Sequence, residues 1–170
     1  ITSRTAEDCA KTAAEIGPAA DYEAGHVGRD ADVERVIDAT LSRLGRIDVL
    51  VNNAATNPYG GPMIDVDRAR WDKTFEINLT APMFWTQRVW RRFMKQNGGA
   101  IVNISSIGGL ATSPVLGVYD VTKAAMIHMT KQLAAELAPK VRVNCLAPAL
   151  VRTEFARALW EGGRGEQIAA

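Results

Sequence analysis

Ala100-Ile101-Val102-Asn103-Ile104-Ser105-Ser106 is the stretch on which the fold turns. Its first five residues form a short apolar run behind a Gly98-Gly99 break, as a buried strand does. Ser105-Ser106-Ile107-Gly108-Gly109 then turns the chain out of the strand into a loop. Two further runs of the same kind lie on either side, Ile47 to Val51 (I-D-V-L-V) and Val141 to Leu146 (V-R-V-N-C-L). The first of these is nearly continuous in apolar residues, so coverage on both faces is expected.

The segments between the strands carry helical spacing. Thr5 to Ile16 reads as a helix that Thr5 caps, with Glu7 and Asp8 at its positive end and Gly17-Pro18 as its stop. Asp32 to Leu44 reads as a second, with Val33, Val36, Ile37, Thr40, Leu41 and Leu44 in register and Gly45 beyond. A long helix is expected from about Arg68 to Gln96, with Trp71, Phe75, Trp85, Val89 and Phe93 on one stripe. Another follows from Val118 to Leu137 and closes at Pro139. A short strand is expected around Tyr22 to Val27. Helices alternating with apolar strands imply parallel strands joined by right-handed crossovers. The expected class is therefore α/β, a doubly wound, Rossmann-like parallel sheet. Neither an internal repeat nor a low-complexity linker divides residues 1–170, so one domain is expected.

Composition narrows the function. With 47% hydrophobic and 23% charged residues the chain is an ordinary globular sequence, and a net charge of +1 gives no case for nucleic acid or an anionic membrane surface. No apolar run approaches the length of a membrane span. Cys9 and Cys145 match no metal-ligand or redox spacing, so both are expected to be packing thiols in a reducing cytoplasm. The opening I-T-S-R-T-A-E-D lacks signal-peptide order and reads as the tail of a strand. The closing stretch Glu161 to Gln167 is Gly-rich and polar.

In doubly wound sheets ligands bind outside the carboxyl ends of the strands. Three of those ends carry unusual polarity: Asn52-Asn53, Ser105-Ser106, and Pro148 with Val151-Arg152-Thr153. The helix that follows Ser106 opens at the same rim with Tyr119 and Lys123, four apart and so on one face. A tyrosine of pKa about 10 is a poor proton donor near neutrality, and a neighbouring cation favours its phenolate. Asn78 stands near the apolar stripe of the long helix, where a buried amide needs partners. Pro82, four residues on, has no N–H for the Asn78 carbonyl and crowds it, so a kinked or opened helix is expected there.

Taken in order, N-N-A-A (52–55), Asn78 in I-N-L, I-V-N-I-S-S (101–106), Y-D-V-T-K (119–123) and P-A-L-V-R-T (148–153) resemble the motif series of the short-chain dehydrogenases/reductases. Tyr119 follows Ser106 by thirteen residues and Ser106 follows Asn78 by twenty-eight, as in that family. The resemblance implies an NAD(P)-dependent oxidoreductase interconverting a carbonyl and a secondary alcohol. It implies that Tyr119 gives or takes the proton, Ser106 holds the substrate oxygen, and Lys123 depresses the tyrosine pKa and holds the cofactor ribose. The Asn78 carbonyl would anchor a water leading to Lys123. Asn53 and Ala54 would line the adenosine side, Pro148 the same cleft, and Val151 and Thr153 the nicotinamide amide and pyrophosphate. His26-Val27 stands where the family often has an Asp for the adenine. Ser3-Arg4 stands where coenzyme choice is set; an arginine without a carboxylate favours NADP, with NAD the alternative.

The resemblance also implies a homodimer or homotetramer through the long helix and the Tyr119 helix, for which Trp85, Trp90 and Phe93 give an apolar surplus. The loop Thr56–Met63 and the segment Phe155–Trp160, with Pro58, Tyr59, Phe155, Leu159 and Trp160, point to a fairly apolar small substrate. Against the family pattern, N-N-A-G is N-N-A-A here and P-G is Pro148-Ala149. The Gly-rich turn of the first strand and the family's last strand are not in the 170 residues. That motivates a second reading, a non-catalytic truncated fragment keeping only the oligomerisation helices. A flavodoxin-like module explains none of the Asn-Ser-Tyr-Lys spacing.

Overall fold

In a computed structural model, which describes residues 1–160, three parallel strands stand in the order β1-β2-β3. They are β1 (Val49–Asn52), β2 (Gly99–Ile104) and β3 (Val141–Leu146). Asn52 pairs in register with Asn103 and Asn103 with Cys145, so the carboxyl ends of all three lie on one rim. The stretch Glu161 to Gln167 and the side chain of Leu159 fall outside the described residues.

The local signals account for most helix ends. Helix α1 (Ala6–Ile16) is capped by Thr5, whose hydroxyl accepts from the Asp8 N–H at 3.3 Å. Helix α2 (Asp30–Leu44) begins two residues ahead of the expected Asp32 and ends on Gly45 with φ of 71°, the left-handed stop that a glycine permits. Residues 68–97 form the long rod, opened by Asp67 as cap. It runs as α3 (Arg68–Phe75), a π turn (Glu76–Thr80), α4 (Ala81–Val89), a second π turn (Trp90–Met94) and α5 (Lys95–Asn97). The opening expected around Pro82 is the first of these turns: the Ala81 N–H reaches back five residues to Glu76. Helix α6 (Gly117–Leu137) carries Tyr119 and Lys123 in its first turns, and a last short helix, α7 (Arg157–Trp160), ends the described residues.

Leu50 and Asn52 of β1, Ile101 and Asn103 of β2 and Val143 of β3 share one face by register. Helices α2, α4 and α6 cover it, packing Val33, Val36, Ile37, Trp85, Val89 and Leu133 around Ile101, which is wholly buried. Through that layer runs a polar thread. Asn52 Nδ2 donates to Asn103 Oδ1 at 2.9 Å and to Thr86 Oγ1 at 3.2 Å, and Asn103 Nδ2 donates to Thr130 Oγ1 at 2.9 Å. Two strands and two helices are thereby locked to one another with every amide hydrogen-bonded, which is how polar groups survive in a core.

Three expectations need correction. The run Ile47 to Val51 is not covered on both faces: Val49 and Val51 are each 55% exposed, because the described helices over β1 lie on the Leu50–Asn52 side. Tyr22 to Val27 forms no strand, and Val27 lies in a turn. Among the described residues Glu23 and Gly25 donate to the carbonyls of Ile1 and Ser3, the Ile1 amine donates to the Asp21 carbonyl, and His26 N donates to Asp32 Oδ2. Trp85 contributes no surface surplus; it is buried, with its Nε1 donating to the Val27 carbonyl at 3.0 Å, while Trp90 and Phe93 pack partly buried against the core.

Candidate functional site

Ser106, Tyr119, Lys123 and Asn78 meet at the carboxyl rim of the sheet. Lys123 is 1% exposed, and its Nζ donates to the carbonyl of Ile104, the last residue of β2, at 2.7 Å. The ammonium lies 5.4 Å from the centroid of the Tyr119 ring. The helical spacing of four thus brings cation and phenol together, as the spacing requires. Burial pushes the Lys123 pKa down to about 8, since a low-dielectric site disfavours its charge. Burial acts on Tyr119 in the opposite sense and raises it; the nearby hydroxyl of Ser106 pulls it down, and the neighbouring Asp120 carboxyl pushes it up.

Ser105 and Ser106, adjacent in sequence, have divided tasks. Ser105 is buried and its hydroxyl donates to the Lys123 carbonyl at 2.8 Å, tying the end of β2 to α6. Ser106 faces the phenol and its Oγ accepts from the Gly108 N–H at 3.1 Å. Alternation along a strand puts consecutive side chains on opposite faces, so only one of the two can look into the site.

Asn78, fully buried in the first π turn, uses its amide completely. Oδ1 accepts from Thr56 N at 2.8 Å, and Nδ2 donates to Thr56 O at 2.9 Å and to Thr122 Oγ1 at 3.1 Å. Thr122 in turn donates to the Tyr119 carbonyl at 2.7 Å. The loop after β1 and the second turn of α6 are therefore joined through one side chain.

The remaining sequence-derived candidates are spread along the same rim. Asn53 and Ala54 are exposed just beyond β1. The Pro148 carbonyl accepts from Ile107 N at 2.9 Å, which holds the segment after β3 beside the Ser106 turn. Val151 and Thr153 are exposed, and Thr153 O accepts from Trp160 Nε1 at 3.1 Å. Val27 is held by Trp85, and His26 Nδ1 accepts from Gly28 N at 3.1 Å. Ser3 and Arg4 are exposed ahead of α1, and Arg4 has no ion-pair partner among the described residues. The Phe155 ring lies tilted beside Tyr119, with ring centroids 6.2 Å apart. Asn52, Asn103, Ser105, Asp120 and Thr122 escaped the sequence reading as structural members. For Asn103 a signal existed: a polar residue in the middle of a core strand must be paired.

A parallel α/β sheet with a serine, a tyrosine and a lysine gathered at its carboxyl rim is the architecture of a Rossmann-like domain. The family model described as short chain dehydrogenase matches residues 1–163, and the chain belongs to that family. It is 46% identical over 136 residues to Dehydrogenase/reductase SDR family member 4 of Homo sapiens, an alignment covering 79% of this chain and 49% of that protein. The chain thus spans about half the length of the curated relatives it matches. Among solved structures, a gluconate 5-dehydrogenase from Burkholderia cenocepacia J2315, in complex with NADP and tartrate, superposes with a TM-score of 0.87 at 32% identity, over 96% of this chain and 65% of that one. A 3-ketoacyl-(acyl-carrier-protein) reductase from Brucella melitensis, complexed with NADH, gives 0.86 at 32% identity, over 91% and 66%. The Rossmann-like α/β class expected from the strand and helix alternation stands.

Proposed function

We propose that this chain carries the acid–base half of an NADP(H)-dependent oxidoreductase that interconverts a carbonyl and a secondary alcohol. The observation that carries the reading is Lys123: a nearly inaccessible ammonium, beside Tyr119, with one of its three N–H donors committed among the described residues. Two donors remain for ribose hydroxyls, and that donor set fits a nicotinamide dinucleotide. When bound, the dinucleotide supplies or accepts the hydride at the carbonyl carbon. Ser106 then holds the substrate oxygen by hydrogen bonding, and Tyr119 passes its phenolic proton to that oxygen in reduction or takes it back in oxidation. Lys123, protonated below its lowered pKa of about 8, favours the phenolate that forms. In this reading the Asn78 carbonyl, in the opened turn, supports a water leading to Lys123.

In the same proposal Asn53 and Ala54 line the adenosine side, His26 and Val27 the adenine, Pro148 the floor of the cleft, and Val151 and Thr153 the nicotinamide amide and pyrophosphate. Ser3 and the unpaired Arg4 favour the 2′-phosphate of NADP over the bare ribose of NAD. The two solved relatives carry NADP in one case and NADH in the other, so both coenzymes occur among close folds. Exposed Phe155, beside Tyr119, and exposed Met63, against Gly117 at the head of the same helix, support a fairly apolar substrate. For assembly, a groove of about 460 Å³ between the rod and α6, lined by Leu79, Met83, Phe84, Ala125 and Met129, supports pairing with a second copy as a homodimer or homotetramer. Free Cys9 and Cys145 agree with a cytoplasmic setting. No helix among the described residues is long and apolar enough to cross a membrane.

A second reading, a non-catalytic unit that presents only these helices, is favoured by the exposed Val49 and Val51 on the bare face of β1. One titration separates the two. NADPH fluorescence is followed on this chain and on a version extended at both ends. Binding by the extended form supports the oxidoreductase reading, and no binding by either overturns it.

A further inference from the structure

We propose that Asp120 is a positioning residue that clamps the 106–116 loop onto the head of α6, and that Gly108 lacks a side chain because the Asp120 carboxyl fills that space. The loop carries Ser106 at one end and runs into α6, where Tyr119 stands, at the other. Nothing in regular secondary structure fixes its middle beyond the single 3-10 turn at Ile107–Gly109.

Asp120 lies in the first turn of α6 and is 6% exposed, an unusual place for a carboxyl. Oδ2 accepts from Ser113 N at 3.1 Å, and its own backbone N–H donates to Leu116 O at 2.9 Å. The carboxyl therefore holds the outgoing limb of the loop at Ser113, while the bond to Leu116 belongs to the backbone at the head of the helix. Oδ1 has no hydrogen-bond partner among the described residues. It rests against Gly108 instead, so closely that a Cβ there would overlap it. Gly108 does not adopt a left-handed φ, so its backbone asks for no glycine; only the space does. Gly109 repeats the device one residue on, where a Cβ would lie 2.7 Å from the Lys123 carbonyl carbon.

These contacts connect to the site through one more bond. Gly108 N donates to Ser106 Oγ, so the residue pressed on Asp120 also orients the hydroxyl that faces Tyr119. Asp120 touches no reacting atom in this arrangement; besides the charge that raises the Tyr119 pKa, it acts through Gly108 and Ser113. Its burial raises the carboxyl pKa, and the Ser113 N–H opposes that rise, as expected of an acid seated on backbone rather than in water.

The test uses this chain with Asp120→Asn, Asp120→Ala, Gly108→Ala and the Gly108→Ala/Asp120→Ala pair, read by amide hydrogen exchange of residues 106–116 and by urea unfolding. Asp120→Ala is expected to speed exchange across the loop by about tenfold or more. Asp120→Asn keeps an acceptor for Ser113 N and is expected to restore slow exchange. Gly108→Ala is expected to lower the urea midpoint in the native background and to do so far less once Asp120 is Ala. Loop exchange unchanged in Asp120→Ala, or an equal Gly108→Ala penalty in both backgrounds, overturns the clamp. The kinetic arm rests on the oxidoreductase reading. In a chain that turns over, Asp120→Ala should lower kcat at unchanged KM for NADPH, and Asp120→Asn should recover it. Failure of the form extended at both ends to turn over counts against that reading alone, because exchange and unfolding still decide the clamp.

Discussion

The amide of Asn78 grips both polar backbone groups of Thr56, accepting from its N–H at 2.8 Å and donating to its carbonyl at 2.9 Å. A loop residue twenty-two positions away is thus held by a side chain of the long helix as a neighbouring strand would hold it. The third bond, to Thr122, extends the grip to α6. Asn78→Leu keeps the volume but leaves Thr56 N, Thr56 O and Thr122 Oγ1 to find other partners. The expected cost is about 3 kcal/mol in urea unfolding, since each buried polar group left unpaired costs about 1–3 kcal/mol. An unchanged unfolding midpoint would show that the Thr56 loop is held by something else.

The Tyr119 hydroxyl makes no hydrogen bond among the described residues and lies near the Ser106 hydroxyl at the mouth of the site. Tyr119→Phe is therefore expected to change unfolding free energy by less than about 1 kcal/mol, while turnover of a carbonyl substrate falls by roughly a hundredfold or more. Affinity for NADPH should stay close to that of the unsubstituted protein. Near-normal turnover in this variant would remove Tyr119 from the proton transfer.

The sequence made the strands, the long rod and the gathering of Ser106, Tyr119 and Lys123 readable, because each rests on local spacing. Apolar runs mark β2 and β3 directly, and a separation of four brings Tyr119 and Lys123 to one helical face wherever that helix sits. Pro82 likewise announced the opened turn at Asn78 by removing an N–H. What could not be read depends on partners distant in the chain. Val49 and Val51 have the apolarity of core residues, and only the third dimension shows that no described helix covers them. Trp85 looks like surface surplus on a helical wheel, yet its indole N–H has the Val27 carbonyl as partner fifty-eight residues away. The Lys123–Ile104 bond is equally invisible to spacing, as is the burial that lowers the lysine pKa.

That lysine gives a pH signature. Its folded-state pKa is lowered to about 8 from an ordinary value of 10.5, chiefly by burial. Below pH about 8 both folded and unfolded chains carry the proton, and the desolvation penalty is fully present. Between pH about 8 and about 10.5 the unfolded chain binds the extra proton, so stability should rise with pH through this window. Lys123→Met has no such group. The unfolding free energy of the native chain minus that of Lys123→Met should therefore increase by about 1–3 kcal/mol from pH 7.5 to 10.5, other titrations cancelling in the difference. A difference independent of pH would mean that Lys123 titrates normally and is more solvated than its 1% exposure indicates.

Phe84 and Trp85 are neighbours with opposite assignments, and the pair separates assembly from folding. Phe84 is 43% exposed on the rim of the apolar groove, with the Arg88 guanidinium 5.6 Å from its ring centroid. Trp85 is 7% exposed and belongs to the core. If a second copy fills the groove, Phe84→Glu places a charge where two apolar faces meet and should shift sedimentation equilibrium toward the monomer. Its own contribution to the folded monomer is small, so unfolding measured at low protein concentration should move by less than about 1 kcal/mol. Trp85→Ala should instead cost about 3–5 kcal/mol, from the lost core volume and the orphaned Val27 carbonyl, whatever the state of association. Sedimentation of the unsubstituted chain as a monomer at high concentration would end the self-pairing proposal, and an equal loss of stability in both variants would place Phe84 in the core instead.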